Sequence, residues 1–318
     1  MSEEGSLYRP ATDSSLASRA RSLLARGVGV LVVLAIFPVG PLVLHFGQKR
    51  HDRLGFDVVA AYPPEKRITG GEAYASTLAA LVEHELDGTT GWRPNDLFPW
   101  GPGLWADNNA NRQLGIIRAA RESARVLRDH LTKVSATEYD ANLVAADTML
   151  RNDERKFWFP SAESRFGDGV GALRKYMAGL ESVPPTSKPI NQRNVELIRL
   201  FQVWSDLLGD AHANLLRDEV SFFQSDDYYY HAQGCAHVMH HLTLAVKREY
   251  AADLARRASV LEMLDRVADS LGRAALAKPV VVLDGGAAGL LANHRRNLDA
   301  YIVDGRQLMY SIREELEK

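Results

Sequence analysis

The stretch LIRLFQVWSDLLGDAHANL, residues 197–215, decides the fold class, because its large apolar side chains recur at steps of three and four. This spacing places them on one face of an α-helix and leaves the other face polar. Two further runs repeat the pattern, and together the three predict an all-α, multi-helix bundle. The apolar positions are Leu197, Phe201, Trp204, Leu208, Ala211 and Leu215; Leu114, Ile117, Ala120, Ala124, Leu127 and Leu131; and Leu254, Ala258, Leu261, Leu264, Ala268, Leu271 and Ala275.

One segment, PVVVLDGG at residues 279–286, is typical of a strand. A single short run cannot form a sheet. We therefore expect an extended connection between the last two helices, the final one running from about Leu290 to Glu315.

The composition narrows the function classes. Of 318 residues, 46% are hydrophobic and 25% are charged, which is normal for a globular protein. The 38 basic and 40 acidic residues leave a formal charge of -2, so no whole-chain field attracts nucleic acid, and we expect no nucleic-acid partner. The single cysteine, Cys235, excludes an intrachain disulfide framework and a multi-cysteine zinc site.

The stretch GVGVLVVLAIFPVGPLVLHF, residues 27–46, has His45 as its only ionisable side chain. As a helix rising about 1.5 Å per residue, it matches a hydrocarbon core of roughly 30 Å. A secretory signal peptide usually has a shorter apolar region, and no small-x-small cleavage site follows Phe46. We predict an uncleaved, single-pass transmembrane helix that is kinked at Pro38 and Pro41.

This span divides the chain into a tail, residues 1–26, an anchor, residues 27–46, a linker, residues 47–70, and a helical body, residues 71–318. Within the body, the proline-rich stretch 183–190 is either a long interhelical loop or the joint between two helical halves. Basic residues flank the anchor equally, so the positive-inside rule gives a tie. Long domains translocate largely regardless of charge, and we therefore expect a cytoplasmic tail and a periplasmic body.

The block DDYYYHAQGCAHVMHH, residues 226–241, is the densest set of metal-ligand types. On a helix, His237 and His241 lie one turn apart, so both could bind one zinc ion. The further ligands would be His231, Asp226 or Asp227. The spacing permits a metal site without specifying one, and the glutamate of the zincin motif is absent. The alternative is a helix that is merely rich in histidine.

A basic stripe lies on the helix that follows residue 107. It could hold a phosphate group or a lipid headgroup. However, Glu122 and Asp129 each lie four residues from one of its members, so we favour a solvated, internally paired face. The stripe consists of Arg118, Arg121, Arg125 and Arg128.

The stretch GWRPNDLFPWGPGLW, residues 91–105, cannot form a regular helix because of its prolines. Each aromatic side chain can bury about 150–250 Å², far more than a solvated loop exposes. The stretch is either a lid on the bundle or a platform for a partner or the membrane interface. Asp107 can cap the helix that follows and fix the exit of the loop, so we favour the lid. The candidate binding residues are Trp92, Phe98, Trp100 and Trp105.

Several blocks together resemble a bacterial family known as domain of unknown function 2333. They are GWRPNDLFPW at 91–100, DNNANRQLG at 107–115, FWFPSAESRF at 157–166, DDYYYHAQGCA at 226–236, and VVVLDG with ANHRRNLDAY at 280–301. The resemblance implies a single N-terminal anchor in the inner membrane and a mostly helical body. It implies no catalytic residue. His237, His240 and His241 depart from the more apolar residues expected after the fourth block.

No nucleophile elbow and no phosphate-binding loop occurs in the chain. Our first hypothesis is therefore a membrane-anchored envelope protein that binds or organises other membrane or periplasmic proteins, without catalysis of its own. The alternative is a metal-dependent periplasmic enzyme built on residues 231–241, with zinc as its cofactor.

Overall fold

The structure is a computed structural model, and it describes residues 14–37, 39–40, 42–43, 46–47, 52–88, 90–96, 107–132, 139–218, 220–279, 281–285 and 291–318. Within these ranges the regular secondary structure is helical, apart from an isolated antiparallel bridge between Asp284 and Asn293. The predicted all-α bundle is therefore confirmed. The helices are α1 (Ser14–Ile36), α2 (Val58–Ala61), α3 (Glu72–Asp87), α4 (Asp107–Val126), which continues into a π-helical turn (Leu127–Leu131), α5 (Ala141–Leu150), α6 (Ala162–Glu181), α7 (Asn194–Leu215), α8 (Phe222–Glu249), α9 (Ala251–Leu254), α10 (Ala258–Leu276) and α11 (His294–Glu317).

The long helices of the body bury the faces that their periodicity predicts. In α7, every predicted position from Leu197 to Leu215 is buried. In α4 and α10 the match is close, although Leu114 and Leu261 are half-buried and Ala258 is exposed. The buried side chains of these faces form one contiguous apolar core. Hydrophobic burial along amphipathic faces is thus the main source of stability.

Helix α8 lies at the centre of the body. It packs most extensively against α4 and α10, and it also contacts α3, α7 and α11. Helix α11 packs on α7 and α10, while α6 packs on α3 and α5. No residue of α8 between Tyr229 and Val246 is exposed. The histidine-rich block therefore lies inside the bundle and not on its surface.

The predicted membrane span, residues 27–46, is not one continuous helix in the described part of the chain. Helix α1 begins before it, at Ser14, and ends at Ile36. The end of α1 lies just before Pro38, a residue type that lacks the backbone N–H needed to continue a helix. Among the described residues, no helix has both the length and the apolar character required to cross a bilayer.

The segment treated as a linker, residues 47–70, lies against the body from Asp52 onward. Asp52 is buried, and Val58 of α2 packs on Ala73 and Ala245. Its carbonyl groups are also held, because the Arg248 guanidinium donates to the backbone oxygens of Tyr62 and Pro63. This part of the segment is therefore built into the body.

The proline-rich stretch, residues 183–190, connects α6 to α7. The apolar core includes buried side chains from before and after it, for example Leu173 and Leu208. Its end is fixed to the start of α3, since the Ile190 N–H donates to the Gly70 carbonyl at 3.1 Å. The stretch is an interhelical loop in this structure, and the division into two halves stays a prediction.

The strand-like stretch, residues 279–286, lies between α10 and α11, as expected. The His294 N–H donates to the Leu283 carbonyl at 2.9 Å, next to the bridge between Asp284 and Asn293. Helix α11 begins at His294, four residues after the predicted start, because Asn293 supplies the cap and accepts from the Arg296 N–H.

Candidate functional site

Helices α4 and α8 approach each other unusually closely where two glycines face the opposite backbone. A Cβ on Gly115 would lie 2.0 Å from the His231 carbonyl oxygen, and one on Gly234 would lie 2.1 Å from the Arg112 carbonyl oxygen. Only a residue without a side chain fits such a crossing. The crossing places the N-terminal part of α4 beside the N-terminal part of α8.

Three carboxyl groups, Asp107, Asp226 and Asp227, come together at this end of the two helices, and we call them the acidic cluster. Asn111 ties the helices together here, because its side-chain amide donates to Asp227 Oδ1. Asp226 Oδ1 is buried and has no hydrogen-bond partner among the described residues. A carboxylate oxygen without a donor is costly to bury.

The acidic cluster is partly protonated near neutral pH. Burial, together with the negative charge of Asp107, raises the pKa of Asp226 to about 7. The same two causes raise the pKa of Asp227 to about 6, against the opposing effects of Arg155 and Asn111. Burial also raises the pKa of Asp107. These carboxyl groups can therefore exchange protons or accept a cationic group that neutralises them.

A network of buried polar side chains begins at Arg112, five residues after Asp107 on α4, and it consists of Asp52, Glu85, Arg112 and Gln113. The Arg112 guanidinium forms an ion pair with Glu85 at 2.9 Å, and both side chains are 2% exposed. It also donates to the Asp52 carbonyl at 3.3 Å. Gln113 donates to Glu85 Oε2 at 3.1 Å. This buried polar network joins the end of α3 to the start of α4.

Gln113 also holds the start of the tryptophan-rich stretch. Its side-chain oxygen accepts from the Arg93 N–H at 2.8 Å, and its nitrogen donates to the Gly91 carbonyl at 2.9 Å. Trp92 faces inward, where it is 5% exposed and stacks edge-on against Phe166 at 5.1 Å. Its contacts are those of a core residue. The other candidate binding residues of this stretch, Phe98, Trp100 and Trp105, lie outside the described residues, so the choice between lid and platform stays a prediction.

The histidines of α8 divide into two groups. His237 and His241 lie one turn apart on the same face, as predicted, with ring centroids 4.8 Å apart. His237 is 2% exposed, and neither ring nitrogen has a hydrogen-bond partner among the described residues. Burial lowers the pKa of His237, and it lowers the pKa of His241 to about 3. Both rings are therefore neutral at physiological pH.

His231, the third candidate zinc ligand, is positioned differently. Its Nδ1 lies 4.0 Å from Cys235 Sγ, beside the glycine crossing of α4 and α8. Burial raises the pKa of the Cys235 thiol to about 12, so this group is an unreactive thiol at neutral pH. In the described part of the chain, no three His, Cys, Asp or Glu side chains are close enough to share a metal ion. Zinc binding stays an untested prediction.

Three arginines of the basic stripe pair with carboxylates, and two of these partners lie outside α4. Arg118 pairs with Asp210 of α7, and Arg121 pairs with Glu154 at 2.9 Å. Arg125 pairs with Glu122 at 2.6 Å. These candidate binding residues therefore have carboxylate partners, and Arg121 additionally fixes the loop after α5 through the carbonyl groups of Leu150 and Asn152.

The sequence profile of a bacterial family, described as uncharacterised proteins conserved in bacteria and known as domain of unknown function 2333, matches residues 23–218. The chain belongs to this family. The match covers more than half of the chain. Comparisons with curated proteins and with solved structures returned no match.

The profile of domain of unknown function 2333 ends just before α8. It includes the blocks at 91–100, 107–115 and 157–166, whereas the blocks at 226–236 and 280–301 lie beyond its end. The acidic cluster therefore combines residues from the region that the profile matches and from the region after it. Asp107 lies inside the matched region, and Asp226 and Asp227 lie outside it.

Two features of the site were not predicted from the sequence. Asp107 was interpreted only as a helix cap, and the buried polar network was not anticipated. One signal was available, since Arg112 lies four residues before Ile116 and therefore shares one side of α4 with that apolar residue. A charged residue on such a face indicates a buried partner, but it does not identify which residue that is.

Proposed function

We propose that this protein is anchored in the bacterial inner membrane through residues 27–46, and that its periplasmic body binds and organises other membrane or periplasmic proteins without catalysing a reaction. The observation that carries this proposal is the exposed apolar surface of α1. Its large apolar side chains between Leu23 and Ile36 are 48% to 69% exposed.

The exposed residues of α1 include the consecutive run Val30, Leu31, Val32, Val33 and Leu34. Five consecutive residues extend around the whole circumference of a helix. The body helices bury one face and expose the other, so a helix that is apolar on all sides needs a different environment. A bilayer supplies that environment, and the apolar sequence up to Phe46 has the length to cross one.

The acidic cluster is the part of the body that we assign to partner binding. Asp226 and Asp227 are half-buried, and burial disfavours their charged forms. A lysine or arginine side chain from a partner would stabilise the carboxylates by direct pairing. We therefore expect the partner to contribute a basic segment.

The topology can be tested with fusions to the C-terminus of the full-length protein. Alkaline phosphatase should be active there, and a fluorescent protein that matures only in the cytoplasm should stay dark. Fluorescence without phosphatase activity would place the body in the cytoplasm. Loss of the protein from the membrane fraction on carbonate washing would contradict the anchor itself.

Partner binding can be tested by purifying the full-length protein in mild detergent. We expect a membrane or periplasmic protein to co-purify in stoichiometric amount. The double variant Asp226→Asn, Asp227→Asn should lose this partner, whereas Asp168→Asn, which changes an exposed carboxylate on α6, should retain it. A protein that is monomeric under all conditions, or a partner that both variants retain, would contradict the proposal.

A further inference from the structure

The loop between α5 and α6 exposes three consecutive aromatic side chains, Phe157, Trp158 and Phe159, which we call the aromatic loop. Their exposed fractions are 46%, 77% and 94%. Phe157 and Trp158 contact each other edge to face, with ring centroids 5.5 Å apart. Aromatic side chains of this size normally bury most of their surface. Three adjacent ones in solvent indicate a surface that contacts something else.

The backbone that leads into the aromatic loop is fixed to the body. The Trp92 indole N–H donates to the Glu154 carbonyl at 3.0 Å. The Asn95 side chain donates to the Lys156 carbonyl at 3.2 Å, and the Ala162 N–H donates to the same carbonyl at 2.9 Å. The loop is therefore held in place on both sides while its aromatic rings stay exposed.

The aromatic loop lies at the end of the body where the chain arrives from the apolar N-terminal stretch. Gly47 lies against Thr90, since a Cβ on Gly47 would be 3.6 Å from the Thr90 methyl group. Thr90 belongs to the same short segment as Trp92, which contacts Glu154. A bilayer that holds residues 27–46 would consequently lie close to the aromatic loop.

Basic side chains precede the aromatic rings. Arg155 is exposed and Lys156 is half-buried, and within the described residues neither has a carboxylate within ion-pair distance.

The acidic side chains near Arg155 and Lys156 have other partners. Glu154 pairs with Arg121, and Glu163 accepts from Asn95 at 2.8 Å. Asp153 accepts from the Arg155 N–H at 2.9 Å. The Arg155 charge opposes the burial that raises the pKa of Asp227. Basic groups next to tryptophan and phenylalanine are the composition of a membrane-interface contact with anionic headgroups.

We propose that the aromatic loop inserts into the interface of the same bilayer that holds the anchor, with Arg155 and Lys156 contacting anionic headgroups. The proposal rests on the proposed membrane tether. It gives the body a second attachment point, which would fix the orientation of the acidic cluster relative to the membrane surface.

The test uses the full-length protein in protein-free vesicles of phosphatidylcholine with or without phosphatidylglycerol, prepared with ordinary or brominated acyl chains. All five tryptophans lie in the body, so the anchor contributes no tryptophan fluorescence. The signal of Trp158 is the difference between the wild type and Trp158→Phe. We expect brominated lipid to remove most of this difference signal, and more of it when phosphatidylglycerol is present.

Matched variants separate the contribution of the basic side chains from that of the aromatic rings. The double variant Arg155→Gln, Lys156→Gln should lose the extra quenching that anionic lipid produces, while Val183→Ser should behave as the wild type. Val183 is 97% exposed, but α6 places it about 30 Å from the aromatic loop.

The outcomes distinguish this proposal from the tether. Carbonate-resistant protein whose Trp158 signal is equally bright in both lipids would overturn the loop insertion and leave the anchor intact. Wild-type protein that carbonate releases from the vesicles would overturn the tether and the insertion together. Insensitivity to brominated lipid, combined with crosslinking of the loop to a protein in native membranes, would overturn the insertion in favour of a protein partner.

Discussion

Arg112 is a charged residue on the apolar face of α4, and its guanidinium is almost completely removed from water. Breaking a buried ion pair leaves an uncompensated charge and costs about 3–5 kcal/mol, whereas an exposed pair contributes about 0–1 kcal/mol. We expect Arg112→Met to lower the free energy of unfolding by the larger amount. Urea denaturation of the detergent-solubilised, full-length protein measures this change.

The control is Arg118→Met, on the same helix, since the side chains of Arg118 and Asp210 are 43% and 60% exposed. The change should stay within about 1 kcal/mol. Adding Glu85→Met to Arg112→Met should recover part of the loss, because it removes the second charge. Equal losses in the two single variants would show that the buried polar network contributes no more than a surface ion pair.

Asp226 should make stability depend on pH. Its pKa of about 7 in the folded protein lies above the value of about 3.9 for an unfolded chain. The folded state therefore retains a proton that the unfolded state releases, so this contribution is complete below about pH 4 and is lost as the pH rises through about 7. Asp226→Asn cannot ionise and should have the higher thermal midpoint at about pH 8, with the difference vanishing at about pH 4.

Thermal melts of the wild type and Asp226→Asn across this range check the prediction. Asp168→Asn, on the exposed surface of α6, should follow the wild type at every pH. If the difference in thermal midpoint between Asp226→Asn and the wild type grew towards acidic pH, the raised pKa of Asp226 would be refuted.

The sequence revealed those parts of the site that depend on local spacing. His237 and His241 share a face because four residues make one helical turn. The pair of Arg112 and Glu85 could not be predicted, because the two residues are 27 positions apart and meet only through the packing of α3 on α4. The exposed aromatic loop had no signal either, since an apolar cluster usually indicates a core.

At the scale of helices, periodicity predicted the buried faces of α4, α7 and α10, because 3.6 residues per turn fixes which side chains share a side. It did not predict which faces meet. The start of α3 also gave little signal, since its cap position is Gly71 and no side chain of that residue can bond the free N–H groups. Glu249, at the distant end of α8, supplies the acceptors.

The crossing of α4 and α8 makes a prediction about glycine. Gly115→Ala would place a methyl group 2.0 Å from the His231 carbonyl oxygen, and both neighbouring surfaces are helix backbone that cannot give way locally. Overpacking of this kind costs typically about 1–3 kcal/mol, and occasionally more. We expect Gly115→Ala to lower the unfolding free energy by at least that amount in urea denaturation.

Gly167→Ala is the matched control, since Gly167 is an exposed residue of α6 and a Cβ there would meet nothing within 4 Å. Alanine has the higher helix propensity, so this variant should gain about 0.5–1 kcal/mol. The two substitutions should therefore have opposite signs. A neutral Gly115→Ala variant would mean that the two helices can separate without loss.

At the scale of the whole molecule, the segments before and after residues 183–190 share one apolar core. They are also joined by the hydrogen bonds of Glu249, which we call the Glu249 joint. The Glu249 carboxylate accepts from the Gly71 N–H at 2.8 Å and from the Tyr74 N–H at 3.0 Å. The Gln192 side chain donates to the Glu249 carbonyl at 2.7 Å. The first turn of α3 is thus held by the last turn of α8, although Gly71 and Glu249 are 178 residues apart in the sequence.

This joint predicts that the body unfolds as one unit. Glu249→Ala leaves the buried N–H groups of Gly71 and Tyr74 without acceptors, at a cost of about 1–3 kcal/mol. Because one core connects helices α3 to α11, hydrogen exchange should accelerate by the same factor in α3 and in α10, and calorimetry should show a single transition at a lower temperature. Glu262→Ala, on the exposed side of α10, should change neither. Faster exchange confined to α3, or two separate transitions, would instead indicate two halves that fold independently on either side of the proline-rich loop.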